Sequence, residues 1–205
     1  MKKIGAAIIA TAVIGVAVIT LGIARVVAGT DPRGTAAVRD AAGTRLGNVT
    51  FTSRRGLTEV RIQLTLDVSK VAADAHHGIH IHANGDPANG VGCVADSAKE
   101  AATWFVSADG HWKADGQDHS GHIGDLGSVY VTSDGRVDAR FLTSRVDRSA
   151  LVGKAVVVHA GPDNFGNVPV GTAVNQYTAN GTDATTLTKN TGNAGARIGC
   201  GVIGS

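Results

Sequence analysis

Histidine carries most of the chemistry available to this chain. His80 and His82 form one group, His111, His119 and His122 a second, and His159 stands alone. Imidazole is a good ligand for copper and zinc. In a strand, alternate side chains share a face, so the run HHGIHIHANGD (76–86) puts His80 and His82 on one side and Ile79 and Ile81 on the other. That describes a core strand presenting two nitrogen ligands. H-x-H alone also describes an edge strand with solvent-facing histidines. His159 ends the run Val156–Val158, so a buried sheet can deliver it beside the first pair. Four nitrogens in a tetragonal set suit Cu(II), and a tetrahedral set with one carboxylate suits zinc. Asp125, three residues after His122, can supply the carboxylate.

These residues need a scaffold, and the pattern around them is β. Val60, Ile62, Leu64, Leu66 and Val68 alternate with polar residues, which predicts a half-buried strand. Further strands are expected at Thr35–Arg39, Leu46–Ser53, around His80, at Ser128–Thr132, Val137–Leu142, Lys154–His159 and Arg197–Ile203. Ser133-Asp134-Gly135-Arg136 reads as the turn of a hairpin between two of them. Residues 84–92 read as loop. Residues 94–125 and 161–196 show no periodicity, which suggests long functional loops. The expected fold class is all-β, an eight-stranded Greek-key barrel or sandwich with two long functional loops.

Lys2 and Lys3 precede an uncharged, mostly apolar run from Ile4 to Ala24, and Val26-Val27-Ala28 permits cleavage after Ala28. Residues 1–30 therefore read as an export signal, or as an uncleaved signal anchor, since the run approaches the roughly 20 residues that span a bilayer. Residues 31–205 form the functional domain. Both readings put that domain outside the cytoplasm: secreted, periplasmic or held at the cell surface, with membrane contact only through the N-terminal segment. Lys2, Lys3 and Arg25 belong to this leader, so the exported part carries slightly more acid than base. With no Lys/Arg run in it, nucleic acid is not an expected partner. Cys93 and Cys200 are the two cysteines. An oxidising compartment permits a disulfide, and metal ligation is the other use.

Four motifs, in this order, resemble the copper/zinc superoxide dismutases: HGIHIHANGD (77–86), SADGHW (107–112), HIGDLG (122–127), and VVVHAGPDN (156–164) with GNAGARIGCGVIG (192–204). The resemblance covers most of residues 45–205. It implies an enzyme that disproportionates superoxide anion to dioxygen and hydrogen peroxide, with copper and zinc ions as cofactors. Copper would be bound by His80, His82, His111 and His159, and zinc by His111, His119, His122 and Asp125, with His111 between the two metals. Arg197 and His111 would be catalytic, the first attracting the anion and the second delivering a proton. Asp163 would link a copper histidine to a zinc histidine, Cys93 and Cys200 would form a disulfide, and His77 would belong to the barrel framework. His76 has no assigned role. The sequence departs from the family between His111 and Asp125, where the loop is short and His119 and His122 lie only three residues apart. The rival readings are an extracytoplasmic copper/zinc-buffering protein without turnover and a copper-only dismutase. Monomer and homodimer both stay open.

Overall fold

The structure, a computed structural model, describes residues 32–169 and 184–205; the leader assigned to residues 1–30 lies outside them. Eight strands follow in order: β1 (Pro32–Arg39), β2 (Arg45–Arg54), β3 (Leu57–Thr65), β4 (Ala75–His82), β5 (Asp125–Val131), β6 (Arg136–Thr143), β7 (Ala155–His159) and β8 (Arg197–Gly204). They form one antiparallel sheet in the order β5-β4-β7-β8-β1-β2-β3-β6. The chain crosses over between β3 and β4 and again between β6 and β7, as a Greek key requires. Among the described residues, no helix is long and apolar enough to cross a membrane.

The predicted alternation holds for four residues, three on β3 and Leu66 just beyond it. Val60, Ile62, Leu64 and Leu66 are buried, but Val68 is 42% exposed. The strand ends at Thr65, and Asp67 then folds the chain into a turn by accepting from the Ser69 amide at 3.1 Å. The expected hairpin also differs. The turn is present, with Thr132 N donating to Arg136 O at 3.0 Å, but β5 and β6 end up at opposite ends of the strand order. β6 spends its ladder on β3, from Thr58↔Thr143 to Thr65↔Arg136. The two strands meet only at the seam of a nearly closed barrel.

The core sets the position of the site. Ile79 and Ile81 of β4 point into the main core with Val49, Phe51, Val60, Ile62, Val156 and Val158. The opposite face of β4 carries His80 and His82, also buried. β7 is buried along its whole length, because Ala155 and Val157 pack into a second cluster with Phe105, Ala108 and Cys200. β7 pairs with β4 through Ile79↔Val158 and His80↔Val157, which brings His159 beside the first pair.

The second loop contains a short helix that periodicity did not predict, α1 (Ala184–Thr191). Its sequence ATTLTKNT has no apolar stripe, so tertiary contacts hold it rather than propensity. The backbone amide of His119 donates to the Lys189 carbonyl at 2.6 Å, and the Lys189 amine lies 3.5 Å from Asp118.

Candidate metal centre

Four buried histidines face one another. His80 and His82 come from β4 and His159 from the end of β7; His111 joins them through a single bridge to His82. Each offers one ring nitrogen, and these atoms all lie within 4.8 Å of one another. The inward atoms are His80 Nδ1 and the Nε2 atoms of His82, His111 and His159, and none has a hydrogen-bond partner.

The outward nitrogens explain why. His82 Nδ1–H donates to the Asp109 carbonyl at 2.8 Å, and His159 Nδ1–H donates to the Gly195 carbonyl at 3.1 Å. His80 Nε2–H donates to the Asp163 carboxylate at 3.0 Å. Each acceptor fixes a tautomer whose lone pair points inward. Burial holds His80 and His82 well below their ordinary pKa and takes His159 down to about 3, so these rings stay neutral. Buried, unpartnered lone pairs on neutral imidazoles are what a metal ion needs.

The second pocket shares His111. Asp125 Oδ1 lies 2.8 Å from His111 Nδ1, 3.1 Å from His119 Nδ1 and 3.3 Å from His122 Nδ1. His111 Nδ1 and His122 Nδ1 are 3.3 Å apart. A tetrahedral ion with ligands at about 2.0–2.1 Å sets neighbouring donors roughly 3.3 Å apart. His80 also comes within 4.8 Å of His111, His119 and Asp125. Its Nε2 is taken by Asp163 and its Nδ1 faces the first pocket, so His122 is the better fourth donor. His122 Nε2–H donates to the Gln117 carbonyl at 3.2 Å, leaving Nδ1 free to ligate. Burial takes His111 down to about 4 despite Asp125. Burial alone would raise Asp125, but bonds from His111 and His119 hold its carboxyl well below the usual range.

Asp163 spans the two pockets. It is bonded to His80 and lies 3.8 Å from His119 Nε2. Burial pushes its carboxyl up to about 7. Two glycines make room for it. A Cβ at Gly78 would sit 2.7 Å from Asp163 Oδ1, and one at Gly192 would sit 2.8 Å from the same atom and 2.6 Å from His119 Nε2. Phe165 stacks on the His119 ring at 5.7 Å.

Arg197 opens β8 opposite His159. Its guanidinium donates to the Phe105 carbonyl and, at 2.6 Å, to the Asp109 carbonyl. A cleft of about 690 Å³, bounded by Arg197, Gly195, Asn193, Leu187 and Pro162, lies alongside. Cys93 and Cys200 form a disulfide with Cα atoms 5.5 Å apart, across 107 residues. Val94 O then accepts from the Phe105 amide at 2.9 Å, so the disulfide anchors the segment that holds Arg197.

The structure thus brings all seven predicted metal-site side chains into two adjoining pockets, His119 included. His77 stands apart, its ring nitrogens 2.9 Å from the carbonyls of His159 and Ala72. His76 is exposed and packs edge-on against Tyr130. Phe105, Asp109 and Gly195 escaped sequence reading because they act through backbone carbonyls, which leave no side-chain signature.

Residues 45–203 match the family model for copper/zinc superoxide dismutase. The copper-zinc superoxide dismutase of Mycobacterium tuberculosis is 36% identical over 169 residues, covering 80% of this chain and 66% of that protein. The extracellular copper-zinc superoxide dismutase of Drosophila melanogaster is 34% identical over 167 residues, covering 77% of this chain and 75% of that one. Among solved structures, the clock protein EA4 is 25% identical with a TM-score of 0.58, over 85% of this chain and 96% of that chain. A double mutant of a SOD-like protein from Bacillus subtilis is 22% identical with a TM-score of 0.56, over 83% and 97%, and bears on the fold alone.

Proposed function

This chain belongs to the copper/zinc superoxide dismutase family, and we propose on that footing that its paired site disproportionates superoxide. One anion is oxidised to dioxygen; a second takes up that electron and two protons to give hydrogen peroxide. The observation that carries this reading is the set of four inward nitrogens, unpartnered and buried, with one of them on a ring shared by a second pocket. Bound by His80, His82, His111 and His159, copper supplies the one-electron couple, while zinc bound by His111, His119, His122 and Asp125 supplies fixed positive charge without redox chemistry.

The chain's own residues do the rest. His111 faces the first pocket with Nε2 while Asp125 holds its Nδ1 side. A proton taken at Nε2 is handed to the second superoxide. Arg197, fixed by two carbonyls beside the cleft, draws the anion in and aims it. Asp163 keeps His80 and His119 oriented through their Nε2 sides.

The signal-like residues 1–30 and the Cys93–Cys200 disulfide support action outside the cytoplasm by the domain of residues 31–205, either released by cleavage after Ala28 or held by the uncleaved segment. The test is superoxide consumption by purified protein whose copper and zinc content is measured. Dismutation with both metals bound is expected, and His159→Ala abolishes it. Bound copper without dismutation would point to the buffering protein; full activity with copper and no zinc would select the copper-only form.

A further inference from the structure

His119 and His122, two proposed zinc donors, are separated by only two residues, Ser120 and Gly121. For both imidazoles to reach Asp125 Oδ1, the intervening backbone must fold back sharply. Gly121 N donates to Asp118 O at 2.7 Å, which forms the turn. The bend then directs the carbonyls of Ser120 and His122 towards one point. Two carbonyl dipoles converging there repel each other unless a donor stands between them.

That donor comes from across the seam between β5 and β6. Arg145 follows β6, and its Nη1 lies 2.8 Å from Ser120 O and 3.1 Å from His122 O. The Arg145 backbone amide donates to Thr143 Oγ1 at 3.1 Å, which fixes the start of the side chain. The inner side of the same bend is held by Asp125 Oδ2, which accepts from His122 N at 3.0 Å. The bend is therefore gripped from both sides, by a carboxylate that also faces the metal pocket and by a guanidinium that does not.

We propose that Arg145 is a positioning residue for the zinc pocket: by bridging the Ser120 and His122 carbonyls it holds the short span in the shape that aims His119 and His122 at one ion. This rests on the reading of that pocket as a zinc site. Arg145 touches no ligand ring, so its effect passes through the backbone. Outer partners of metal ligands are typically worth about 10- to 100-fold in metal affinity.

The test compares the wild-type protein with Arg145→Gln, Arg145→Lys and, as a surface-charge control, Arg136→Gln, whose arginine pairs with exposed Asp134. Zinc affinity is read by competition with a chelator, copper affinity in parallel, and the pocket's geometry by the absorption spectrum of Co(II) placed there. Thermal unfolding of the metal-free forms is the folding control. Arg145→Gln is expected to weaken zinc binding roughly tenfold or more, alter the Co(II) spectrum and leave copper affinity within about twofold. Arg145→Lys, which keeps a cation between the two carbonyls, should recover part of the loss, and Arg136→Gln should match wild type. Wild-type zinc affinity and spectrum in Arg145→Gln overturn the proposal alone. So does a loss explained by equal destabilisation of the metal-free form. A wild-type protein that takes up no zinc overturns both this proposal and the reading beneath it.

Discussion

His82 and Arg197 meet on one oxygen atom. The Asp109 carbonyl accepts from His82 Nδ1 at 2.8 Å and from Arg197 Nη2 at 2.6 Å. The group that sets the tautomer of His82, a proposed copper ligand, thus also sets where Arg197, the proposed guide for the anion, stands. Asp109 is itself anchored, since its carboxylate accepts from the amides of Gly85 and Asp86 and from Asn89 Nδ2.

Arg197→Gln removes the charge while leaving the histidines in place. Metal content should be unchanged, kcat/KM should fall roughly tenfold, and its dependence on ionic strength should flatten, because steering of an anion is a screened, long-range effect. Stopped-flow superoxide decay across a salt series checks this. An unchanged rate with an unchanged salt slope would remove Arg197 from the mechanism.

Asp163→Asn keeps the size of the side chain but removes the carboxylate that spans His80 and His119. Metal affinity in the zinc-side pocket should fall about 10- to 100-fold. Chelator competition reads the loss directly. Gly192→Ala should act in the same direction, because its Cβ would press on both His119 and Asp163 from a backbone with φ of +64°.

Cutting the Cys93–Cys200 link by Cys200→Ser should destabilise the fold by about 2–5 kcal/mol in chemical denaturation. It should also loosen the segment carrying the Phe105 and Asp109 carbonyls, so activity falls beyond any loss of folded protein. A variant with full specific activity and an unchanged denaturation midpoint would contradict this coupling.

The metal-free protein should lose stability as pH drops below about 6.5. In the unfolded chain the histidines protonate near their ordinary pKa, whereas in the fold burial holds His111 to about 4 and His159 to about 3, with His80 and His82 also depressed. Between these limits the unfolded state binds more protons, so stability present above pH 6.5 declines towards pH 3–4. Asp163 opposes this trend: with its folded pKa raised to about 7, its contribution falls as pH rises from about 4 to 7. Four histidines outweigh one carboxyl. Denaturation midpoints of the metal-free protein from pH 7.5 to 4 should fall steadily; a flat profile contradicts the burial of these rings as neutral groups.

What could be read from the sequence was what side-chain period encodes. β3 and β4 show themselves by alternation, and β7 by an unbroken valine run that only a doubly buried strand tolerates. The residues that line the two pockets were legible because six of the seven are histidines, set in a fixed order of motifs. α1 was not, since three threonines and one leucine in its first five residues carry no helical stripe and its stability comes from docking against His119. The β5–β6 seam was not legible either, because a good turn dictates a reversal and says nothing of how far the ladder continues. Val68 failed for the reason that a local cap at Asp67 overrides the pattern. The carbonyls of Phe105, Asp109 and Gly195, and the reach of Arg145 to Ser120 and His122, depend on chain segments that only the fold brings together.

The two pockets meeting on His111 are the claim on which the rest depends. Crystals of the metal-loaded protein, with anomalous diffraction collected at the copper and zinc absorption edges, test it most directly. A copper peak is expected on the Nε2 side of His111 with His80, His82 and His159 around it, and a zinc peak on the Nδ1 side with His119, His122 and Asp125. Two ions that share no ligand, or a zinc peak away from His119 and His122, would contradict it.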